Sequence, residues 1–406
     1  MNCFQRIIAS AALTLFVLPS AALQATSPKV RETIIAGSPD QFMEVRHVVL
    51  KGSNFEIGKQ MAAVAMREGI KARKSSNRLL NRSKRMYFAR NYPAYFERMK
   101  GTAAAFGLPF EDDQYDFSGL WQSFMPGPAC SVVFYPGSST ENGHSVLSRN
   151  YDFITGTLQG TLPKPGEMAV MARPYLIEMH PDKGYASLAI SAFDILGGVL
   201  DGINSEGLTV SILEDGTAER VGREASDEVG FHEIQSVRYL LDNCKNVDEA
   251  KAALLSLKHY YTLTPCHHIV GDRFGKSFVF EFSPVRNRCL ITDGKGPQCL
   301  TNHVIGRPVK GGENSVERYQ KLVTATTAKM KFSLADIRDI SASVAIPPVA
   351  SRPGVARTLW YALYDSEARS LNIRFYLGEK PDPADPKKVI LSYSEPKEFI
   401  LKSQTK

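Results

Sequence analysis

The 406-residue sequence lacks the short signatures of several common enzyme classes. It has no GxSxG nucleophile elbow, no Walker phosphate loop, no HExxH zinc motif and no GxGxxG dinucleotide loop in a credible context. The run Cys266-His267-His268 has no matching ligand pair after it, and adjacent residues of a strand point to opposite faces, so it does not indicate zinc. We therefore expect no metal and no organic cofactor.

Long apolar runs are also scarce, and the one of note lies at the N-terminus. A positive start ending at Arg6 precedes the apolar run Ile7–Leu18, and small residues follow. This order is typical of a secretory signal peptide, cut here near Ala22 or Ala25. The run is short for a membrane span, although a retained anchor is the alternative. We assign residues 1–25 to a signal peptide and expect a secreted or periplasmic protein.

Cysteine is infrequent, and its number is odd once Cys3 leaves with the signal. The five that remain are Cys130, Cys244, Cys266, Cys289 and Cys299. In an oxidising compartment thiols tend to pair, and an odd number leaves one free or intermolecular. Cys289 and Cys299 flank a predicted hairpin turn and are the best disulfide candidates, and Cys244 with Cys266 could form a second pair. Cys130 is then the odd thiol.

The charge of the chain does not require a charged partner, since a net charge of +7 is mild for this length. Residues 55–106 have a helical pattern and many Lys and Arg residues. This favours a solvated helix face, with contact to an anionic membrane surface as the alternative. Aromatic residues do not alternate with the basic ones in the manner of a nucleic-acid surface, so we expect no nucleic-acid partner.

After Cys130 the pattern changes to a series of β-hairpins. The strongest signal is Asn142-Gly143, which lies between SVVFY and HSVLSRNYDF. Further predicted hairpins pair GGVLDGI with LTVSIL, HHIVGD with SFVFEFS, RCLIT with QCLTNH, and TLWYALYD with LNIRFYLG. Helical runs are predicted near 231–257, 315–331 and 333–344. Hairpins with grouped helices predict an α+β fold in which helices cover antiparallel sheets.

Cys130 occupies an unusual position, at the start of a predicted strand and directly after Pro126-Gly127-Pro128. No histidine is obviously placed to activate its thiol. Cleavage between Ala129 and Cys130 would create an α-amino group with a pKa near 8 on the same residue, and this amine could serve as the base. The residue thus has the properties of an N-terminal nucleophile exposed by cleavage after a restricted turn.

Arg149 and Asp152 lie on the second strand of the same hairpin. Because residues three apart do not share a face of a regular strand, we expect a bulge near Asn150. Asp152 could then hold the α-ammonium group, and Arg149 could lower the thiol pKa by its charge. A plain surface ion pair is the alternative.

The segment CSVVFYPGSSTENGHSVLSRNYDF resembles the mature N-terminus of the choloylglycine type of N-terminal-nucleophile hydrolases. It is more similar to the acyl-CoA:6-aminopenicillanate acyltransferase family, whose precursors cleave themselves before a cysteine. Five further segments resemble that family in order: VVLKGSNFEIGKQMA, DGINSEGLTVSILED, VGDRFGKSFVFEFSP, CLTNHV and ENSVERYQKL. The six together extend from about Val48 to Leu322.

This resemblance implies a fold and a site. The fold is a four-layer αββα sandwich, with two antiparallel sheets between helical layers. The implied site residues are Cys130, Arg149, Asp152, Asn204, Asn302 and Arg318. Cys130 would be both nucleophile and self-cleavage residue, and the two asparagines would supply oxyanion donors. A hairpin turn explains Asn204 equally well, and an ordinary helix surface explains Arg318.

The expected product of self-cleavage is a two-chain enzyme. Residues 26–129 would form a helical pro-segment that stays bound as a short chain, and 130–406 the catalytic chain. We expect this cysteine amidohydrolase to cleave the N-acyl amide of a small molecule through a thioester, in a pocket shaped by the short chain and by the loop after Asp152. An acyltransferase or a lactone or ester hydrolase is the alternative. A non-catalytic secreted binding protein, with Cys130 in a disulfide, is the alternative of another class.

Overall fold

The computed structural model describes residues 30–122, 129–157, 161, 164, 167–218, 228–262, 264–283, 285–306, 312–350 and 354–402. The predicted signal peptide and the turn before Ala129 lie outside these residues. Within the described ranges, no helix combines the length and the apolar character that a bilayer crossing needs.

The described chain contains strands and helices in mixed order, which confirms the α+β class. The N-terminal segment holds β1 Arg31–Gly37, β2 Glu44–Gly52, α1 Asn54–Arg67, β3 Arg73–Lys74, α2 Arg78–Asn91, α3 Pro93–Ala105 and β4 Tyr115–Asp116. The middle holds β5 Ala129–Tyr135, β6 Val146–Ile154, β7 Tyr175–Pro181, β8 Ser187–Ser191, β9 Val199–Asn204, β10 Thr209–Glu214, α4 Glu233–Asn243 and α5 Val247–Ser256. The remainder holds β11 Cys266–Gly271, β12 Ser277–Ser283, β13 Arg288–Asp293, β14 Gln298–Leu300, α6 Glu313–Thr327, α7 Leu334–Ala342, β15 Ala356–Asp365, β16 Ser370–Pro381, β17 Val389–Tyr393 and β18 Lys397–Ile400.

The larger sheet has nine strands in the order β1-β2-β7-β8-β9-β10-β11-β12-β13. Its neighbours are antiparallel except β2 and β7, which run parallel, so the expectation of purely antiparallel sheets is wrong at this pair. A parallel pair needs a long connection between its strands. Here the connection includes α1 to α3 and the β5–β6 hairpin. The N-terminal segment therefore contributes two strands to the larger sheet, besides its helices.

The smaller sheet has the order β14-β5-β6-β15-β16-β17, with β18 also paired to β16. The predicted hairpin of RCLIT with QCLTNH is wrong. β13 pairs with β12 in the larger sheet, whereas β14 pairs with β5 in the smaller one. The chain thus changes sheets between Asp293 and Gln298, which a local turn signal does not reveal.

The main hydrophobic core combines buried side chains from both sheets. In β5 the alternation is clear, because Val132 and Phe134 belong to this core while Val133 and Tyr135 belong to a second cluster with α6 and α7. A third cluster joins α1 to α3 with β2 and β7. The inner face of β5, where Cys130 lies, is therefore closed off from water by the opposing sheet.

Helices α1 and α3 cross at two glycines. A Cβ atom added at Gly58 would lie 2.0 Å from the Arg98 carbonyl oxygen, and one added at Gly101 would lie 1.9 Å from the Phe55 carbonyl oxygen. Both distances are far below van der Waals contact, so the backbones touch only because neither position has a side chain. The N-terminal helical pair depends on this close approach.

We expect Gly58→Ala to destabilise the protein by roughly 1–3 kcal/mol, because the added methyl group forces the two helices apart. Urea unfolding followed by circular dichroism measures the change. Met66→Ala on the same helix is the control, since Met66 is 39% exposed and its removal leaves the crossing intact. Equal unfolding midpoints for the glycine variant and the unmodified protein would contradict this account of the crossing.

The basic residues of α2 are largely occupied by ion pairs inside the chain. Arg82 and Arg85 both pair with Asp113, and Lys84 pairs with Asp116 at 2.9 Å. Lys84 and Arg85 are also buried. These contacts explain part of the basic run without an external anionic partner.

Candidate active site

The β5–β6 hairpin brings Cys130 and Arg149 to the same inner face. Its register is regular, with Cys130 opposite Tyr151 and Val132 opposite Arg149. The bulge expected near Asn150 is absent from this pairing. It lies instead in β15, where the register against β6 shifts between Thr358 and Trp360. Arg149 and Asp152 therefore occupy opposite faces of β6, as a regular strand requires.

The Cys130 sulfur lies against a buried positive charge. Arg149 Nη2 is 3.5 Å from Sγ, and the charge of this arginine favours the thiolate. Burial nevertheless outweighs this contact and raises the thiol pKa to about 11. Arg149 thus lowers the thiol pKa in the predicted direction, but desolvation dominates.

Arg149 is held in place by groups from the opposite sheet. Its Nε lies 3.1 Å from Asp201 Oδ2, and both side chains are fully buried. Its Nη1 donates to the Leu200 carbonyl oxygen at 3.2 Å and to the Ser211 hydroxyl. Tyr364 donates its hydroxyl to the other oxygen of Asp201. Removing one partner from such a pair would leave an uncompensated buried charge.

The backbone of Cys130 is held by Asn302 and Arg318. Asn302 Oδ1 accepts the Cys130 N–H at 2.6 Å and Arg318 Nη2 at 2.9 Å, and Arg318 Nη1 donates to the Cys130 carbonyl oxygen at 2.7 Å. Asn302 Nδ2 donates to the Glu214 carbonyl oxygen at 2.8 Å. The oxygen of the Asn302 side chain thus meets two donors, and its NH2 group meets a carbonyl oxygen. These partners determine the orientation of this side-chain amide. We expected Asn302 to donate a hydrogen bond to an oxyanion. In this structure its Oδ1 instead accepts the N–H of Cys130.

Asp152 lies directly across the strand pair from Ala129. Its Oδ1 accepts the Thr358 hydroxyl at 2.6 Å, and its Oδ2 is buried without a hydrogen-bond partner among the described residues. Burial raises the pKa of this carboxyl to about 7, although Thr358 and the two nearby arginines oppose the shift. A carboxyl group that titrates near neutrality beside the bond between Ala129 and Cys130 is suited to proton transfer.

Asn204 is not part of this cluster. Its Nδ2 donates to the carbonyl oxygens of Leu241 and Cys244, at 3.0 and 2.8 Å, and its Oδ1 accepts backbone N–H groups of Glu206 and Leu208. All its hydrogen-bonding capacity closes the β9–β10 turn and joins it to α4. These contacts favour the turn explanation of Asn204 over the predicted oxyanion role.

Two residues that support the site were missed in the sequence. Asp201 stands three residues before Asn204 in the segment DGINSEG, where the resemblance drew attention to the asparagine alone. Ser315 accepts the Asn302 N–H at 2.7 Å and begins the S-x-x-R pattern that leads to Arg318. A buried acid on a strand is a signal that could have identified Asp201.

A cavity of about 40 Å³ adjoins the thiol. Its lining includes Tyr151, Phe153 and Phe193, and all the lining residues follow Cys130 in sequence. The described lining thus contains no part of the N-terminal helices that we expected to shape it. A water molecule needs about 30 Å³, whereas small-molecule sites span roughly 300–1,000 Å³. The cavity must widen before it can hold an acyl group.

The five cysteines of the described chain are all free thiols, so the predicted disulfides are absent. Cys289 lies opposite Phe282 in the larger sheet, whereas Cys299 lies opposite Val133 in the smaller sheet. The two therefore do not face each other across a hairpin. Cys130 is likewise free, as a nucleophile must be.

We expect alkylation of the denatured protein, without reductant, to label all five of these cysteines. The reason is that the strand pairing separates Cys289 from Cys299. Peptide mass mapping gives the count, and a sample reduced before alkylation serves as the control. A Cys289–Cys299 linked peptide in the unreduced sample would contradict the strand assignment of β13 and β14.

A family comparison covers most of the segment after Cys130. Residues 138–380 match the family described as acyl-coenzyme A:6-aminopenicillanic acid acyl-transferase, which is more than half of the chain. The chain belongs to this family. The match contains Arg149, Asp152, Asn302 and Arg318, and it begins eight residues after Cys130. No curated protein sequence matches the chain.

Solved structures of related enzymes are similar only at a distance. Penicillin V acylase from Agrobacterium tumefaciens is 17% identical, with a TM-score of 0.41, over 61% of this chain and 83% of the acylase. A mutant form of conjugated bile acid hydrolase from Clostridium perfringens is 15% identical, with a TM-score of 0.43, over 68% of this chain and 97% of the hydrolase.

Proposed function

We propose that this member of the family is a self-processing cysteine amidohydrolase. The observation that carries the proposal is the set of contacts around Cys130: Asn302 and Arg318 hold its backbone, and Arg149 faces its sulfur. These groups surround the bond that precedes Cys130 as well as the thiol that would attack it. A residue with only a packing role would not need such a set of charged and amide partners.

Self-cleavage would begin with the thiol and the adjacent carbonyl group. The thiol gives up its proton as Sγ attacks the carbonyl carbon of Ala129, and Asp152, across the strand pair from Ala129, relays the proton. The C–N bond breaks, the proton passes to the Cys130 nitrogen, and a thioester joins Ala129 to the sulfur. Water then hydrolyses the thioester, which leaves a carboxylate on Ala129 and a free thiol and amine on Cys130. Asp152 is suited to this relay by its position opposite Ala129.

The mature site would use the new α-amine as its base. Asn302 Oδ1 already accepts the Cys130 N–H and can accept from the amine in the same way. The thiolate attacks the substrate carbonyl, the amine group of the substrate leaves with a proton, and water releases the acyl group from the thioester. Cleavage of the chain before Cys130 would also allow the cavity beside the thiol to widen.

The short chain would remain attached after cleavage. Asp242 in α4 accepts Arg98 Nη1 at 2.6 Å and also the Tyr92 hydroxyl, both from α3 or its N-terminal cap. Arg238 completes this buried cluster at 3.0 Å from Asp242. Together with the β2–β7 pairing, these contacts connect the segment before Cys130 to the segment after it. We propose a secreted or periplasmic heterodimer that lacks residues 1–25.

Acyl transfer is the second candidate function, and the family description favours it. We place hydrolysis first because water, unlike acyl-CoA, is abundant outside the cytoplasm. The test is a panel of N-acyl amides of small amines, with the released amine and acid quantified, in the absence and presence of a second amine acceptor. Equal amounts of amine and acid support hydrolysis, whereas new amide in place of acid supports transfer. No amine release from any member by the two-chain protein would contradict both.

A further inference from the structure

A second cavity lies on the side of the smaller sheet that faces α7. Its volume is about 300 Å³. Arg338, Ala342 and Ala345 line it from α7 and the residues just after it, and side chains of β15, β16 and β17 line it from the sheet. We call this cavity the α7 groove. It is distinct from the cavity beside the thiol, with which it shares no lining residue.

The α7 groove presents two arginines, neither of which forms an ion pair with a described carboxylate. Within the described residues, neither Arg338 nor Arg374 forms an ion pair, whereas Arg357 on the same sheet pairs with Glu379 at 2.5 Å. The guanidinium group of Arg374 lies 5.0 Å from the centre of the Tyr393 ring, and this contact holds it at the groove. Asp339 is the one acid in the lining, so the two arginines leave an excess positive charge.

Neutral polar groups complete the lining. The Tyr361 hydroxyl accepts from Ser148 at 3.2 Å, so its own proton can be donated, and the Asn372 amide lies in the floor. The groove therefore combines charged and neutral donors around a space that matches the lower limit of small-molecule sites, about 300 Å³. Such a set of hydrogen-bond donors can bind an oxyanion.

The floor of the groove adjoins the catalytic hairpin. Thr358 lines the groove and donates its hydroxyl to Asp152. Its carbonyl oxygen accepts the Tyr393 hydroxyl at 2.9 Å. Asn150 also lines the groove and donates to Ser131, the residue after Cys130, at 3.3 Å. A bound molecule would thus contact residues that hydrogen-bond directly to the site.

We infer that the α7 groove binds a small anion through Arg338 and Arg374. The chemical class is a molecule with a carboxylate or a phosphate group, because planar guanidinium groups bind such groups with paired, charge-assisted hydrogen bonds. Two arginines on facing elements can hold one oxyanion between them. The inference concerns a second site and does not depend on the activity proposed above.

The test uses the full-length Cys130→Ala protein, which does not turn over any ligand. Inorganic phosphate and benzoate are titrated separately by isothermal calorimetry, and we expect saturable binding of at least one at about millimolar concentrations. Phosphate alone would identify a phosphate site, and benzoate alone a carboxylate site. Arg338→Gln with Arg374→Gln should weaken that binding about tenfold or more, the loss expected for charge-assisted bonds.

The control is Arg288→Gln, which removes the same charge from an exposed position on β13. Its binding should equal that of the parent protein. Both groove arginines are also exposed, so the double variant should keep its fold, which thermal unfolding verifies. Two results would overturn the inference: no saturable binding of either anion, or equal affinity in the groove variant and the Arg288 control.

Discussion

The Cys130→Ala protein is expected to remain one uncut polypeptide, while the unmodified protein yields two chains, the second of which begins Cys130-Ser131-Val132. The sulfur is the atom that accepts the acyl group from Ala129, and a methyl group cannot replace it. Amide hydrolysis should fall to background in the same variant. Intact mass and N-terminal sequencing measure the cleavage, and amine release measures the activity.

The matched control for this variant is Cys266→Ala. Cys266 is also a buried free thiol, and it lines the same cavity. Its removal should leave the cleavage between Ala129 and Cys130 intact, because burial and the nearby carboxylates of Glu233 and Glu214 raise the pKa of its thiol, whereas Arg149 lowers that of Cys130. Cutting at the same bond in the Cys130→Ala protein would show that another group or a protease performs it, and the self-processing proposal would fail.

The Asp152→Asn protein is expected to cleave itself about 100-fold more slowly or worse, since the amide cannot relay the proton. The unmodified rate should rise with pH and level off above about 7, because burial raises the pKa of Asp152 to that value and only the ionised form is a base. Protein refolded from urea at a series of pH values, sampled by gel electrophoresis, gives these rates.

Thr358→Val separates the role of Asp152 in proton transfer from a role in packing. The Thr358 hydroxyl stabilises the ionised carboxylate and lowers its pKa. Loss of that hydrogen bond should move the midpoint of the pH profile upward, while the plateau rate remains measurable. Asp152→Glu keeps a carboxylate and should retain part of the rate. An unchanged rate and pH profile in Asp152→Asn would exclude the carboxyl group as the base.

The sequence predicted the local elements well, because their signals are local. The Asn142-Gly143 turn, the alternation in β5 and β6, and the helical period of residues 55–106 depend on neighbouring residues. The change of sheet between β13 and β14 depends instead on which distant strand offers a free edge. For the same reason the parallel pairing of β2 with β7 had no signal in either strand.

In the candidate site, too, local signals were predictable from the sequence and long-range contacts were not. Cys130, Arg149, Asp152, Asn302 and Arg318 lie together, as the motifs indicated, but their hydrogen bonds could not be assigned from residue type. Asn204 and Asp201 are three residues apart on one strand and its turn. The asparagine completes the turn, and the aspartate reaches Arg149. Only the opposing sheet decides which of them faces Arg149.

The ion pair of Arg149 with Asp201 crosses from one sheet to the other, and it would make the reactivity of the Cys130 thiol sensitive to the separation of the two sheets. Arg149 belongs to β6 and Asp201 to β9, so any core substitution that moves the sheets apart also moves the positive charge relative to the sulfur. Residues that do not themselves line the cavity, such as Trp360 in the stack with Tyr151, would therefore alter the chemistry while the fold persists. The packing of the interior would thus affect the reactivity of Cys130 as well as the stability of the fold.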